Sequence, residues 1–204
     1  MSDLSIQGAK GRTKITTTRS DRYKKVSSDL VQRNFVSTGP DALWVSDLTY
    51  IKTKEGWLYL VCVMDAFSRR ILGSAIGETM ETKLFIDSFN RAKATRQKAV
   101  LPTTIFHSDH GSQYLSDQFR EVIRISKVTQ SMGAIGDSYD NAMAESLWAS
   151  LKKELVYKRA FKTREEAKAQ IFDWINWYNN RRRHSGIGYV SPICYEQAMM
   201  RQAA

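Results

Sequence analysis

Between Leu43 and Gly77 three apolar runs follow one another almost without a break, and that crowding limits the fold more than any other feature. "LWVSDLTYI", "GWLYLVCVMD" and "ILGSAIG" are rich in β-branched and aromatic residues, the composition of strands. Short connections separate them, bounded by Gly56 and by the turn "DAFSRR". Parallel neighbours need a long crossover, so the simplest arrangement is an antiparallel meander.

After Gly77 the pattern changes. "TKLFIDSFNRAKATRQ" places Phe85, Phe89 and Ala92 at helical spacing. "TTIFHSD" is a short strand after Pro102, "SDQFREVIRIS" a helix with Ser116 as N-cap, and "KVTQSM" a fifth strand. The turn-rich loop "GAIGDSYDN" leads into the helical "NAMAESLWASLKKELVYK". A last helix opens on the capping box Thr163–Glu166, lines up Ala167, Ile171, Trp174 and Tyr178, and stops in "NNRRRHSGIGYVSP". This order predicts an α/β fold: a five-stranded mixed sheet flanked by helices, the order of the ribonuclease-H-like architecture. The core is expected over residues 41–192, with a basic flexible arm or linker over 1–40 and a tail over 193–204.

Within this frame, acids stand where acids are expensive. Asp47 interrupts the first strand in "WVSDLTY", and Asp109 follows the fourth in "IFHSDHGSQY". A charge in an apolar strand either faces solvent or points into a site or a cation. If the first and fourth strands are neighbours, Asp47 and Asp109 sit side by side. Glu145 lies one turn into the helix after "GDSYDN", with 35 residues between it and Asp109, while 61 separate Asp47 from Asp109. At about 100° per residue, Lys152 falls about 20° from Glu145, with Leu147, Trp148, Leu151 and Leu155 in an adjoining sector. Glu145 and Lys152 would then look along one edge toward the sheet.

Two carboxylates about 4 Å apart repel by roughly 4 kcal/mol at an effective dielectric near 20. Three converging acids therefore either take up protons or hold a divalent cation. Oxygen ligands of this hardness select Mg2+ or Mn2+. Two such ions suit in-line attack on a phosphodiester. Gly111, directly after His110, would let a substrate backbone approach closely. His107 and His110 have no cysteine near them and do not make a zinc site. His110 suits orienting a carboxylate or touching a phosphate, and His107 is equally well a packed histidine.

Composition agrees with a polyanionic partner. Lys and Arg number 31 against 21 Asp and Glu, a formal net charge of +10, which favours nucleic acid. Cys62 lies in an apolar run and reads as a buried thiol; there is no CxxC and no run of eighteen apolar residues. A cytoplasmic, nucleoid-associated bacterial protein with no membrane contact is the expectation. Asp65 reads as a structural acid, and Asp137 and Asp140 as acids favourable before a helix. Trp174, Trp177 and Tyr178 suit a core better than a stacking platform. Arg181, Arg182 and Arg183 either complement a helix dipole or bind phosphates.

The motifs "WVSDLTY", "FHSDHGSQY", "SYDNAMAESLWASLKKEL" and "YNNRRRH" resemble those of bacterial insertion-sequence transposases of the IS-three group, whose catalytic core is similar to that of retroviral integrases. The resemblance runs over about residues 34–192. It implies a metal-dependent transposase in which Asp47, Asp109 and Glu145 are the catalytic, metal-binding triad and Lys152 touches terminal DNA. His110, Asn141 and Arg181 to Arg183 are further candidate DNA contacts. The implied partner is double-stranded DNA, both element ends and target, bound by a homo-oligomer. The implied reaction is cleavage and strand transfer by water or a 3′-hydroxyl, without a covalent protein intermediate. Family members carry helix-turn-helix segments ahead of the core, and "GAKGRTKITTTRSD" resembles the linker after them. A second reading is therefore a catalytically silent DNA-binding or dimerising regulator of a longer transposase.

Overall fold

The computed structural model describes residues 27–133 and 141–202. The meander is present as β1 (Leu43–Thr53), β2 (Gly56–Asp65) and β3 (Ile71–Gly77), each antiparallel to the next. β4 (Ile105–Ser108) and β5 (Thr129–Met132) add on the other side of β1 in parallel. The sheet order is β3-β2-β1-β4-β5, so the strand that carries Asp47 is central. Helices are α1 (Thr82–Arg96), α2 (Asp117–Ile125), α3 (Ala142–Glu154), α4 (Arg164–Asn180) and α5 (Pro192–Gln202).

Strand parity divides the core in two. Leu43, Val45 and Ile51 of β1 join Leu58, Leu60 and Cys62 of β2 beneath α3 and α4. Trp44, Val61 and Val63 face the other way, onto α1 and α2. Leu147, Trp148 and Leu151 of α3 and Ala167, Ile171 and Trp174 of α4 are buried on the first side, as helical spacing predicts. Each large apolar side chain so enclosed contributes about 1.5–3 kcal/mol. On the second side α1 lies so close to β3 that a Cβ on Gly73 would stand 2.1 Å from the Ser88 carbonyl oxygen. Both expected caps are made: Ser116 accepts from the Phe119 amide and Thr163 from the Glu166 amide. Among the described residues no helix is long and apolar enough to cross a membrane.

Two expectations about the ends need correction. Residues 193–204 suggest only a tail, yet 192–202 form α5, whose Glu196 is buried among arginines. Of the expected arm, residues 28–35 lie against the sheet edge. The Leu30 amide donates to Ser131 Oγ, the Met132 amide donates to the Ser28 carbonyl, and Val31 is buried. A segment with few apolar residues is held here by hydrogen bonds to β5. Residues 1–26, and the loop with Asp137 and Asp140, lie outside the described residues.

Candidate active site

The register of the parallel pair explains why two of the acids meet. β1 and β4 pair through Leu43–Ile105, Trp44–Phe106 and Val45–His107. Two residues farther along each chain stand Asp47 and Asp109. Pairing stops at Val45, so the strands part there and leave the two carboxylates at the mouth of the split.

Asp47 is held on both oxygens. Its Oδ1 accepts from the Leu48 amide at 2.8 Å and its Oδ2 from Trp148 Nε1 at 2.9 Å. The second bond ties α3 to the strand it must face. Burial pushes the Asp47 carboxyl up to about 7, the negative charge of Asp109 adds to the rise, and that of Glu145 adds a smaller part. The two hydrogen bonds pull the other way. Asp109 is exposed, and its Oδ1 accepts from the Gly111 amide at 2.9 Å. A Cβ on Gly111 would lie 3.0 Å from that oxygen and 3.4 Å from the Tyr114 ring. Gly111 thus serves the loop that aims Asp109. Tyr114 is buried under the pair, hydrogen-bonded to Ser46 Oγ at 2.8 Å. Burial, then the charges of Asp109 and Asp47, push its hydroxyl up.

Glu145 stands exposed in the first turn of α3, within electrostatic range of Asp47. Among the described residues no three His, Cys, Asp or Glu side chains close into a metal-ligand group. The acids share one field here without forming a closed cage. Asn141, just before α3, is buried and donates from Nδ2 to the Ser46 carbonyl at 3.3 Å, so it pins the helix start to β1. His110 is half-buried and its Nε2 meets the Gly133 carbonyl. His107 is buried, with Nδ1 at 3.0 Å from Ser131 Oγ and Phe35 edge-on.

The basic residues separate into two places. Lys152 sits over the Tyr50 ring at 5.3 Å. Arg181 and Arg183 are exposed where α4 ends, whereas Arg182 is half-buried, paired with Glu154 at 2.8 Å and bonded to Ser150 at 3.1 Å. Arg182 and Arg183 line a cleft of about 500 Å³ together with Arg69, Ser146, Ser150 and His184. Burial and then the charges of Arg182 and Arg69 push the His184 ring down to about 4, so it stays neutral among guanidiniums. Nothing in the sequence singled out Arg69, whose part depends on the turn after β2. Asp65 is structural, as expected: fully buried, bonded to Ser68 and Arg96. Trp174 and Tyr178 are core, but Trp177 is 41% exposed.

A model of the integrase core domain matches residues 37–138, and a second integrase core domain model matches residues 126–192. The chain belongs to the integrase-core family of insertion-sequence transposases. A putative transposase for insertion sequence element IS986/IS6110 from Mycobacterium tuberculosis (strain ATCC 25618 / H37Rv) is 37% identical over 206 residues, covering 99% of this chain and 74% of that protein. The transposase for insertion sequence element IS629 from Shigella sonnei is 35% identical over 198 residues, covering 97% of this chain. This integrase core spans 66% of the length of the latter. Among solved structures, the HTLV-2 integrase catalytic core domain in complex with magnesium superposes with a TM-score of 0.57 at 17% identity, over 74% of this chain and 94% of that one. At that identity the likeness establishes the shared fold.

A pH experiment follows from the raised carboxyl of Asp47. In the folded protein it keeps its proton up to about 7, while in the unfolded chain it releases it near the ordinary aspartate value of 3.8. Raising pH through that window favours the unfolded state. Asp47→Asn keeps the shape and removes the titration. In chelator, its stability relative to wild type should rise between pH 5 and pH 8. The full shift corresponds to about 4 kcal/mol, and water at the half-buried site leaves roughly 1–2 kcal/mol of it. Thermal unfolding of both proteins across this range checks it; a difference independent of pH would remove the account of a carboxyl raised by burial and by neighbouring charge.

Proposed function

We propose that this integrase core cuts and joins DNA strands, with Asp47, Asp109 and Glu145 as the acids that hold Mg2+ or Mn2+. One observation carries the reading: Asp47 and Asp109 stand at matching places where the parallel strands β1 and β4 part, and Glu145 on the first turn of α3 lies within electrostatic range of Asp47. The donor set is all carboxylate oxygen, which fits a hard divalent ion and not zinc. Such an ion, when bound, stabilises charge on a phosphoryl oxygen and makes a hydroxyl a better nucleophile.

The chain's own groups supply the rest. Trp148 and Leu48 hold Asp47 in one orientation, and the Gly111 amide does the same for Asp109. Asn141 anchors the helix that brings Glu145 to the mouth of the split, and rotation of the exposed Glu145 side chain would complete the set. Lys152, two turns farther along α3, holds a phosphate of the DNA end. Arg69, Arg182 and Arg183 hold another through their cleft beside Ser146. The acids take no covalent part, so one site serves both cutting by water and joining by a 3′-hydroxyl. The partner is double-stranded DNA, element ends and target, engaged by a homo-oligomer in the bacterial nucleoid.

The metal assignment has its own readout. Millimolar Mg2+ or Mn2+ should raise the melting temperature, and Asp109→Asn should weaken the rise. An ion at a hundred times its dissociation constant adds about 2.7 kcal/mol, or roughly 5–10 °C for a chain of this size. A melting temperature indifferent to both ions would refute the metal site, whatever the protein does to DNA.

A further inference from the structure

Past Asp47, β1 runs on with β2 to the hairpin tip while its other edge pairs with no strand among the described residues, because pairing with β4 ends at Val45. Along this stretch burial alternates: Ile51 and Thr53 are inside, Tyr50 and Lys52 outside. Lys52 stands opposite Trp57 in the register. The end of α3 and the chain after it close over this edge and leave a groove of about 710 Å³. Lys52, Lys54, Lys152 and Arg159 line it with Tyr50, Trp57 and Tyr157, and among the described residues no acid joins the lining.

We infer that this groove binds a short unpaired stretch of DNA, its bases stacked on Trp57 and Tyr157 and its phosphates tracked by Lys52 and Lys54. The inference rests on the DNA-joining reading above and specifies the state of the DNA it takes. Exposed aromatics in a soluble core are wasteful unless something covers them. Tyr157 is 76% exposed and Trp57 45%. Tyr50 is already engaged, meeting Trp57 edge-on at 5.4 Å with the Lys152 ammonium above its ring at 5.3 Å, so it forms the floor of the groove. A purely apolar partner does not explain four cations with no counter-charge, and a duplex does not explain the aromatics, since it hides the faces of its bases. Aromatic rings interleaved with lysines are the chemistry of single-strand recognition. Lys152 joins the two places: on the same edge of α3 as Glu145, it points a strand leaving the groove toward the acids.

Fluorescence anisotropy on the full chain in chelator tests this with two labelled probes, an oligothymidylate and a blunt duplex of equal length. Tyr157→Ala and Trp57→Ala should weaken oligothymidylate binding about tenfold or more, the effect of one lost stacking contact, and barely affect the duplex. Tyr157→Phe should bind like wild type. Salt dependence should persist in the aromatic variants, whereas Lys52→Ala and Lys54→Ala should each lower the slope by about 0.7. Equal losses on both probes, or no loss on either, would overturn the inference. So would self-association of the wild type that Tyr157→Ala abolishes, since a second copy would then be the occupant. Because no metal is present, the two readings fail separately. Cutting without single-strand preference removes only the groove, and single-strand preference without cutting removes only the chemistry.

Discussion

Glu145→Gln is expected to lower strand cutting and joining at least about a hundredfold, the order of effect of losing one group that stabilises developing charge, while leaving fold and DNA affinity in place. The geometry makes this substitution clean. Glu145 is exposed on the first turn of α3, while Met143, Ala144, Leu147 and Trp148 around it carry the packing. Gln keeps the volume and removes one negative charge, so stability should move by no more than about 0.5 kcal/mol, as at an ordinary surface position. The assay is conversion of a labelled short duplex in Mn2+ by the two proteins side by side. Asp173→Asn, at an exposed acid of α4, is the control and should leave product unchanged. Equal product from wild type and Glu145→Gln would end the enzymatic reading and leave a protein that only binds DNA.

The sheet was largely legible because its signals are local. The alternation in "LWVSDLTYI" and the short connections around Gly56 belong to neighbours in sequence, and they suffice for β1, β2 and β3. The parallel placement of β4 beside β1 follows from topology, and with it the nearness of Asp47 and Asp109. Glu145 was legible as a helix position, since Leu147, Trp148 and Leu151 define the buried face by spacing. What spacing could not supply is distance. Whether Glu145 closes on the aspartates depends on side-chain rotation, not on periodicity.

Other features depend on partners far apart in sequence. Trp148 reads as core, and its bond to Asp47 spans 101 positions. The arginines after α4 looked alike in "RRRH", yet Glu154 draws Arg182 in while Arg181 and Arg183 stay out. Trp177 shares the helix with Trp174 but falls on its outer side. The groove was within reach of a period-two reading: Tyr50 and Lys52 alternate with the buried Ile51 and Thr53, and aromatic-basic alternation at a strand end is itself a signal.

Arg96→Met is expected to destabilise the protein by about 3–5 kcal/mol, the order found when one partner of a buried ion cluster is removed, which is a fall of roughly 6–20 °C in melting temperature. Arg96 ends α1 and reaches three acids from three parts of the chain. It meets Asp41 at 2.6 Å, Asp65 at 3.2 Å and Glu196 at 2.6 Å, all of them buried. Burial opposes charge on Asp41, yet the Lys98 hydrogen bond and the Arg96 charge hold its carboxyl below the ordinary value. Burial likewise opposes Glu196, which hydrogen bonds from Arg96, Arg70 and Ser68 hold low. Without Arg96, Glu196 keeps Arg70 at 2.8 Å and Asp41 keeps Lys98 at 2.8 Å, but Asp65 loses the one cation that pairs with its carboxylate among the described residues. This cluster also explains why α5 escapes a hydrophobicity reading: the helix docks through a carboxylate. Glu196→Gln should therefore have a smaller effect on global stability and a selective one on α5, seen as faster amide exchange over residues 192–202 before the sheet opens. Urea unfolding with hydrogen exchange separates the two. If Arg96→Met unfolds at the wild-type midpoint, the cluster contributes nothing net and α5 is held by its apolar contacts alone.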